Sequence, residues 1–282
     1  MSISNVGICG SGIMGSGIAE VAAKSGYNVV LRSRKQETAD ATLAKLEKSL
    51  TRQVERGRLE ADEAATVLGR VTGTADLGAL ADCDLVIESV VENLDIKKAL
   101  FAELDAIVKA DAILATNTST LPIVEMAVAT SRPAQVLGVH FFNPAPAMSL
   151  VEIVSAITTS EETAEVATEF AVSCGKNPVA VKDVAGFIVN ALLFPYLNNA
   201  IRMWENGVAS KEDIDAAMKG GTGHPMGPFA LLDLVGLDTS LSILEALYNE
   251  FRDPNYAPAP TLKRLVSAGR LGRKTGEGFL TY

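Results

Sequence analysis

Apolar residues come in short continuous runs over the first two thirds of this chain and at helical spacing over the last third. Val6-Gly7-Ile8-Cys9, Asn28 to Leu31, Leu85-Val86-Ile87, Ile113-Leu114-Ala115 and Val136 to Val139 are largely apolar runs of strand length. Runs without polar alternation mark strands buried on both faces, as in a parallel sheet. Between them lie helical stretches: the residues after Gly15 through Ala23, Glu37 to Arg58, and Asp95 to Val108. Leu150 to Val154 and Pro178 to Val181 read as two more strands around a helix from Glu162 to Cys174. Strand-helix alternation predicts an α/β fold, a mostly parallel sheet with helices on both faces. After Asp183-Val184-Ala185-Gly186-Phe187 only helical spacing remains, over Ile188 to Trp204, Phe229 to Val235, Asp238 to Phe251 and Leu262 to Ala268. Ser210-Lys211-Glu212-Asp213 reads as the capping box of one further helix. The expected division is therefore residues 1–183 as the sheet domain and 184–282 as an all-α domain. So much apolar helix in the second part predicts self-association through it.

Chemistry enters first at Gly10-Ser11-Gly12-Ile13-Met14-Gly15, which follows a strand, opens a helix and is followed by a second strand after Gly26. A G-x-G-x-x-G run is weak evidence alone, but in this context it predicts a Rossmann-type dinucleotide site. Gly10 permits the tight turn, Gly12 lets backbone approach a pyrophosphate at the helix N-terminus, and Gly15 allows close helix–strand packing. Ile13 and Met14 share that loop and count among its expected contacts. About 20 residues on, where NAD-binding chains usually carry Asp or Glu, stand Ser33 and Arg34. A hydroxyl beside a guanidinium suits a 2′-phosphate, which a carboxylate would repel. On the helix that follows, Leu43, Leu46, Leu50 and Val54 form one face. Lys45, Lys48, Arg52 and Arg56 form nearly the opposite one, with Ser49 beside them. Such a stripe can hold a polyanion, although a charged helix face is more often merely solvated.

His140, one of only two histidines, ends the run from Val136 and continues as Phe141-Phe142-Asn143-Pro144. Active sites of open α/β sheets lie beyond the carboxyl ends of strands. An imidazole there can move a proton near neutral pH. Glu152, in the next strand-like run, can orient and charge-stabilise it. The run ending at Ala115 leads into Asn117-Thr118-Ser119-Thr120, so Ser119 and His140 are expected at neighbouring strand ends. Ser119 reads either as a helix cap or as a hydroxyl that positions a substrate oxygen. No G-x-S-x-G surrounds it to make it a nucleophile. His224, before Pro225 in a loop, reads as structural.

Composition narrows the classes. A net charge of −9 argues against a nucleic-acid partner. No apolar run approaches the roughly 18–20 residues of a membrane span. The chain enters a strand at once, so no signal peptide is expected. Cys9, Cys83 and Cys174 are odd in number and far apart, which predicts reduced thiols in a cytoplasmic protein. No metal-ligand cluster is present and no metal is expected.

Taken together, the glycine loop, Asn117-Thr118-Ser119, His140-Phe141-Phe142-Asn143-Pro144, Gly186-Phe187-Ile188-Val189-Asn190 and Lys274-Thr275-Gly276-Glu277-Gly278-Phe279 resemble the L-3-hydroxyacyl-CoA dehydrogenases. The likeness covers essentially the whole chain and is nearest to the short, single-function branch that acts on 3-hydroxybutyryl-CoA. It implies a Rossmann-type domain, a helical dimerisation and substrate domain, a homodimer, and interconversion of (3S)-3-hydroxyacyl-CoA and 3-oxoacyl-CoA, such as acetoacetyl-CoA, with NAD or NADP. It makes His140 the catalytic base and Glu152 its carboxylate partner, and places Ser119 and Asn190 on the substrate. It puts Glu92, Lys97, Asn117, Ser119 and Asn143 along the coenzyme, and Ser49 and Arg56 on CoA, where the family commonly has Lys in place of Arg56. Two positions depart from the family pattern. Ser33 replaces the usual Asp, from which NADP(H) is expected to be accepted and favoured over NAD(H), and Ala191 stands where Arg is usual. The rival readings are a dehydrogenase of a free hydroxy acid or sugar acid, which would not need Ser49 and Arg56, and a non-enzymatic dinucleotide-binding regulator. A regulator would have no reason to keep Ser119, His140, Glu152 and Asn190 together.

Overall fold

The structure is a computed structural model that describes residues 3–282. It divides into two compact units, one ending at Asp183 and the other spanning Val184–Tyr282. The first unit is built on strands β1 (Asn5–Cys9), β2 (Asn28–Arg32), β3 (Val71–Thr74), β4 (Leu85–Glu88), β5 (Ile113–Thr116), β6 (Val136–Phe141), β7 (Leu150–Ser155) and β8 (Asn177–Lys182). Their order is β3-β2-β1-β4-β5-β6-β7-β8. Helices α1 (Ile13–Lys24), α2 (Gln36–Glu55), α3 (Ala61–Gly69), α4 (Leu94–Ile107), α5 (Ile123–Ala127) and α6 (Glu161–Ser173) connect them. Every position of β4, β5 and β6 is buried. Because successive side chains point to opposite faces, this requires cover on both sides of the sheet. The strand order reverses between β1 and β4, which opens a crevice at their carboxyl ends.

All pairings are parallel except β6 with β7, which run antiparallel. The run from Val136 is thus parallel to β5, as expected, but it extends past Val139 to Phe141 and its other neighbour is antiparallel. His140 lies inside β6, directly opposite Glu152 across the antiparallel ladder. Two elements missed in the sequence, α3 and β3, form the edge beside β2. Residues 61–69 are rich in alanine, and β3 is only four residues long and mostly half-buried or exposed, so neither carries a strong apolar period. Pro178 is tolerated because β8 is an edge strand. Two helix starts of this unit are capped by side chains: Asn93 and Ser160 accept from the backbone N–H groups of Ile96 and Thr163.

The second unit contains α7 (Val189–Glu205), α8 (Lys211–Thr222), α9 (Pro228–Val235), α10 (Leu237–Phe251) and α11 (Pro260–Ser267). Phe194, Leu197, Ile201, Phe229, Leu232, Leu244, Leu247 and Phe279 form its core. The Ser210 hydroxyl caps α8 at the Asp213 N–H, 3.0 Å away. Buried Asp233 accepts from the backbone N–H groups of Phe279 (2.9 Å) and Leu280 (2.8 Å), which ties down the end of the chain. A Cβ at Gly278 would lie 2.1 Å from that carboxylate, so the turn there requires glycine.

Candidate active site

The strand ends around the crevice carry the polar groups. At the glycine loop, Gly10 has φ +120, and a Cβ there would lie 2.2 Å from the Ser89 carbonyl oxygen. A Cβ on Gly15 would come within 1.9 Å of the Gly10 carbonyl oxygen, so helix and turn pack at backbone distance. At Gly12 an added Cβ would meet nothing within 4 Å. Gly12 is the N-cap of α1, and no side chain caps the helix there. Unpaired N–H groups facing open space fit the pyrophosphate of a dinucleotide. Ile13 is exposed beside this opening, while Met14 packs partly into the core.

Beyond β2, Ser33 is buried and its hydroxyl lies 2.8 Å from that of Ser11 in the glycine loop. Arg34 is exposed, with no hydrogen bond or ion pair found for it among the described residues. Ser11 was not anticipated as the partner of Ser33. Its place inside the glycine run was the one available signal.

His140 and Glu152 are both buried, and Nδ1 of the imidazole is 2.7 Å from Oε2 of the carboxylate. The opposite ring nitrogen, Nε2, is 3.2 Å from the Ser119 hydroxyl. The Phe142 ring lies over the imidazole at a centroid distance of 4.6 Å. Asn117 accepts from the Phe141 N–H at 2.8 Å and so ties the end of β5 to β6. Asn143 is exposed on the turn between β6 and β7, preceding a cis bond to Pro144. The same turn is held by Lys176, which donates to the carbonyls of Ala145 (2.7 Å) and Met148 (2.8 Å). Burial lowers the Lys176 pKa. Glu92 is partly exposed and accepts from the Ser119 N–H at 3.0 Å. Lys97 is buried and points inward, its ammonium 2.7 Å from Glu88 and 3.2 Å from Glu92. Glu88 gives no signal in the sequence beyond following the apolar run Leu85-Val86-Ile87.

On α2, Leu46 and Leu50 are buried, as their spacing predicted. The other face forms a concave patch of about 380 Å³ lined by Lys45, Lys48, Ser49, Arg52, Gln53 and Arg56. Buried Glu20 lies behind it and accepts from Gln53 (2.9 Å) and Lys24 (2.7 Å). Asn190 belongs to the second unit, where it is buried in the first turn of α7. The three cysteines are free and buried. Burial pushes Cys9 and Cys83 up to about 12 and Cys174 to about 11. Among the described residues no cluster could hold a metal ion, and no helix is long and apolar enough to cross a membrane.

A phosphate-ready glycine loop, a buried imidazole–carboxylate pair and a facing hydroxyl on one Rossmann-type sheet define a dinucleotide-dependent oxidoreductase class. Residues 5–184 match the NAD binding domain of 3-hydroxyacyl-CoA dehydrogenase, and residues 186–282 match its C-terminal domain. The chain belongs to the 3-hydroxyacyl-CoA dehydrogenase family. It is 50% identical to a probable 3-hydroxybutyryl-CoA dehydrogenase of Deinococcus radiodurans, over 98% of this chain and 99% of that one. It is 48% identical to the 3-hydroxybutyryl-CoA dehydrogenase of Mycobacterium tuberculosis, over 100% of this chain and 99% of the relative. The crystal structure of (S)-3-hydroxybutyryl-CoA dehydrogenase from Ralstonia eutropha superposes with a TM-score of 0.97 at 42% identity, covering 100% of this chain and 99% of that one.

Proposed function

We propose that this chain interconverts (3S)-3-hydroxybutyryl-CoA and acetoacetyl-CoA, with His140 as the proton-transferring group. The observation that carries this reading is the Ser119–His140–Glu152 chain, with contacts of 3.2 and 2.7 Å on opposite ring nitrogens. The bound nicotinamide coenzyme supplies the hydride acceptor in the oxidative direction and the donor in reverse. Nε2 of His140 takes the proton of the C3 hydroxyl. Glu152 accepts the Nδ1 hydrogen, fixes the tautomer and stabilises the imidazolium that forms. Ser119 donates to or accepts from the reacting oxygen and holds it at Nε2. Phe142 and the buried strand ends keep water from the imidazole. Glu92 and Asn143 line the coenzyme, and Asn190 is included as a substrate contact on the family resemblance. The basic patch on α2, with Ser49 and Arg56, receives CoA phosphate, and that sets this reading apart from a free hydroxy acid dehydrogenase.

We further propose that NADP(H) is accepted and preferred over NAD(H). No carboxylate stands at Ser33 to repel a 2′-phosphate, and the unpaired Arg34 guanidinium is free to meet one. We also infer a homodimer through the second unit, whose Leu192, Met203, Leu234 and Phe251 side chains are exposed. A monomer mass by light scattering at micromolar concentration would refute that. The activity test is steady-state reduction of acetoacetyl-CoA and longer 3-oxoacyl-CoAs against acetoacetate, with NADH and NADPH. Turnover confined to the CoA esters supports the reading, and equal turnover of free acetoacetate overturns it.

A further inference from the structure

We infer that Glu88 is a positioning residue that sets Ser119 through Lys97 and Glu92. The inference rests on the role proposed above for Ser119. Glu88 is fully buried at the end of β4, with its carboxylate engaged on every side. It takes the Lys97 ammonium on both oxygens (2.7 and 2.8 Å), the Thr116 hydroxyl (2.7 Å) and the Val90 N–H (2.6 Å). Lys97 reaches on to Oε2 of Glu92 at 3.2 Å. The other Glu92 oxygen, Oε1, accepts from the Thr118 hydroxyl and from the Ser119 N–H. Ser119 then meets His140.

Side-chain exposure along this series falls from 41% at Glu92 to 1% at Lys97 and 0% at Glu88. A half-exposed carboxylate alone is solvated and mobile, and would hold the Ser119 backbone poorly. Contact with a buried ammonium fixes it. A buried ammonium in turn persists only beside a buried counter-charge, and Glu88 supplies that. The charge of Lys97 is directed into three carboxylate oxygens and its side chain is 1% exposed, so its main interactions are with Glu88 and Glu92.

The test is the paired replacement Glu88→Gln/Lys97→Met in the full chain, which removes both buried charges and keeps similar volumes. Four quantities are read: Tm, coenzyme Kd by fluorescence, kcat and KM for acetoacetyl-CoA, and amide hydrogen exchange of the 118–121 segment. The expected result is a Tm near wild type, a coenzyme Kd within about threefold, and kcat lowered about 10- to 100-fold at little-changed KM. Exchange at Ser119 and Leu121 should quicken. Glu92→Gln should reproduce the kcat and exchange changes, and it carries the test if the paired variant does not fold. A purely structural pair would return kcat and exchange to wild type once Tm is regained, which overturns the inference. So does a loss of coenzyme affinity that matches the loss of kcat, which makes Lys97 a coenzyme ligand. Failure of the dehydrogenase reading looks different: wild type would be inactive on acetoacetyl-CoA, and the exchange arm would still decide whether Glu88 positions Ser119.

Discussion

On the proposed reading coenzyme choice turns on Ser33 and Arg34, which make it testable. The Ser33 hydroxyl is held 2.8 Å from that of Ser11, so it is fixed against the glycine loop. A carboxylate in its place would bring a negative charge beside the ribose. That charge would accept from a 2′-hydroxyl and repel a 2′-phosphate. On that reading exposed Arg34 would supply the opposite preference, through one ionic hydrogen bond to the phosphate. Such a bond is worth roughly 1.5–3 kcal/mol, or about 10- to 150-fold in selectivity. Exposure and salt place the effect toward the lower end. The assay is kcat/KM for NADPH and for NADH at saturating acetoacetyl-CoA and fixed ionic strength. Arg34→Ala should lower the NADPH value by about tenfold or more and leave the NADH value within about threefold. Ser33→Asp should swing the ratio toward NADH. A wild-type ratio strongly favouring NADH, unmoved by Arg34→Ala, would refute the reasoning.

Glu152→Gln removes the anionic partner of a buried imidazole 2.7 Å away, so kcat should fall by about 10- to 150-fold with the fold retained by circular dichroism. A rate within about threefold of wild type would remove Glu152 from its role. Arg56→Glu should raise KM for acetoacetyl-CoA more than KM for coenzyme, and added salt should mimic it in the wild type. Indifference to both would leave the α2 patch as solvated surface. With the thiols pushed up to about 11 and 12, thiolate at pH 8 is at most about one part in a thousand. The native protein should therefore resist alkylation at that pH and label fully only when denatured. Rapid labelling of the folded chain would show that burial does not protect these cysteines.

The glycine loop, the sheet domain and the helical region were legible in the sequence because their apolar periods are strong. The run from Val136 to Phe141 is buried at all six positions, and α2 buries Leu46 and Leu50 at the spacing read from the chain. The parallel direction of most strands followed from the strand–helix alternation, but the one antiparallel pairing was not legible, since a local apolar pattern carries no information about direction. The antiparallel turn from β6 to β7 is nevertheless what sets His140 opposite Glu152. The resemblance set Lys97 along the coenzyme, and its buried pairing with Glu88 was not legible beside that. A charged residue on a helix gives no sign in sequence that it turns inward. The chain places it 2.7 Å from Glu88, a pairing nine residues apart between a strand end and the following helix. The Ser11–Ser33 contact stayed hidden for a similar reason. It joins two loops 22 residues apart that meet only because β1 and β2 lie side by side.

The central claim is that His140 moves the proton while the rest of the site binds and orients. The most direct measurement is His140→Ala, assayed for acetoacetyl-CoA reduction and 3-hydroxybutyryl-CoA oxidation alongside coenzyme binding by fluorescence. The account predicts a loss of about 10²–10⁴-fold in kcat in both directions, with coenzyme Kd within about threefold of wild type. A folded variant that binds coenzyme normally and turns over near the wild-type rate would contradict it.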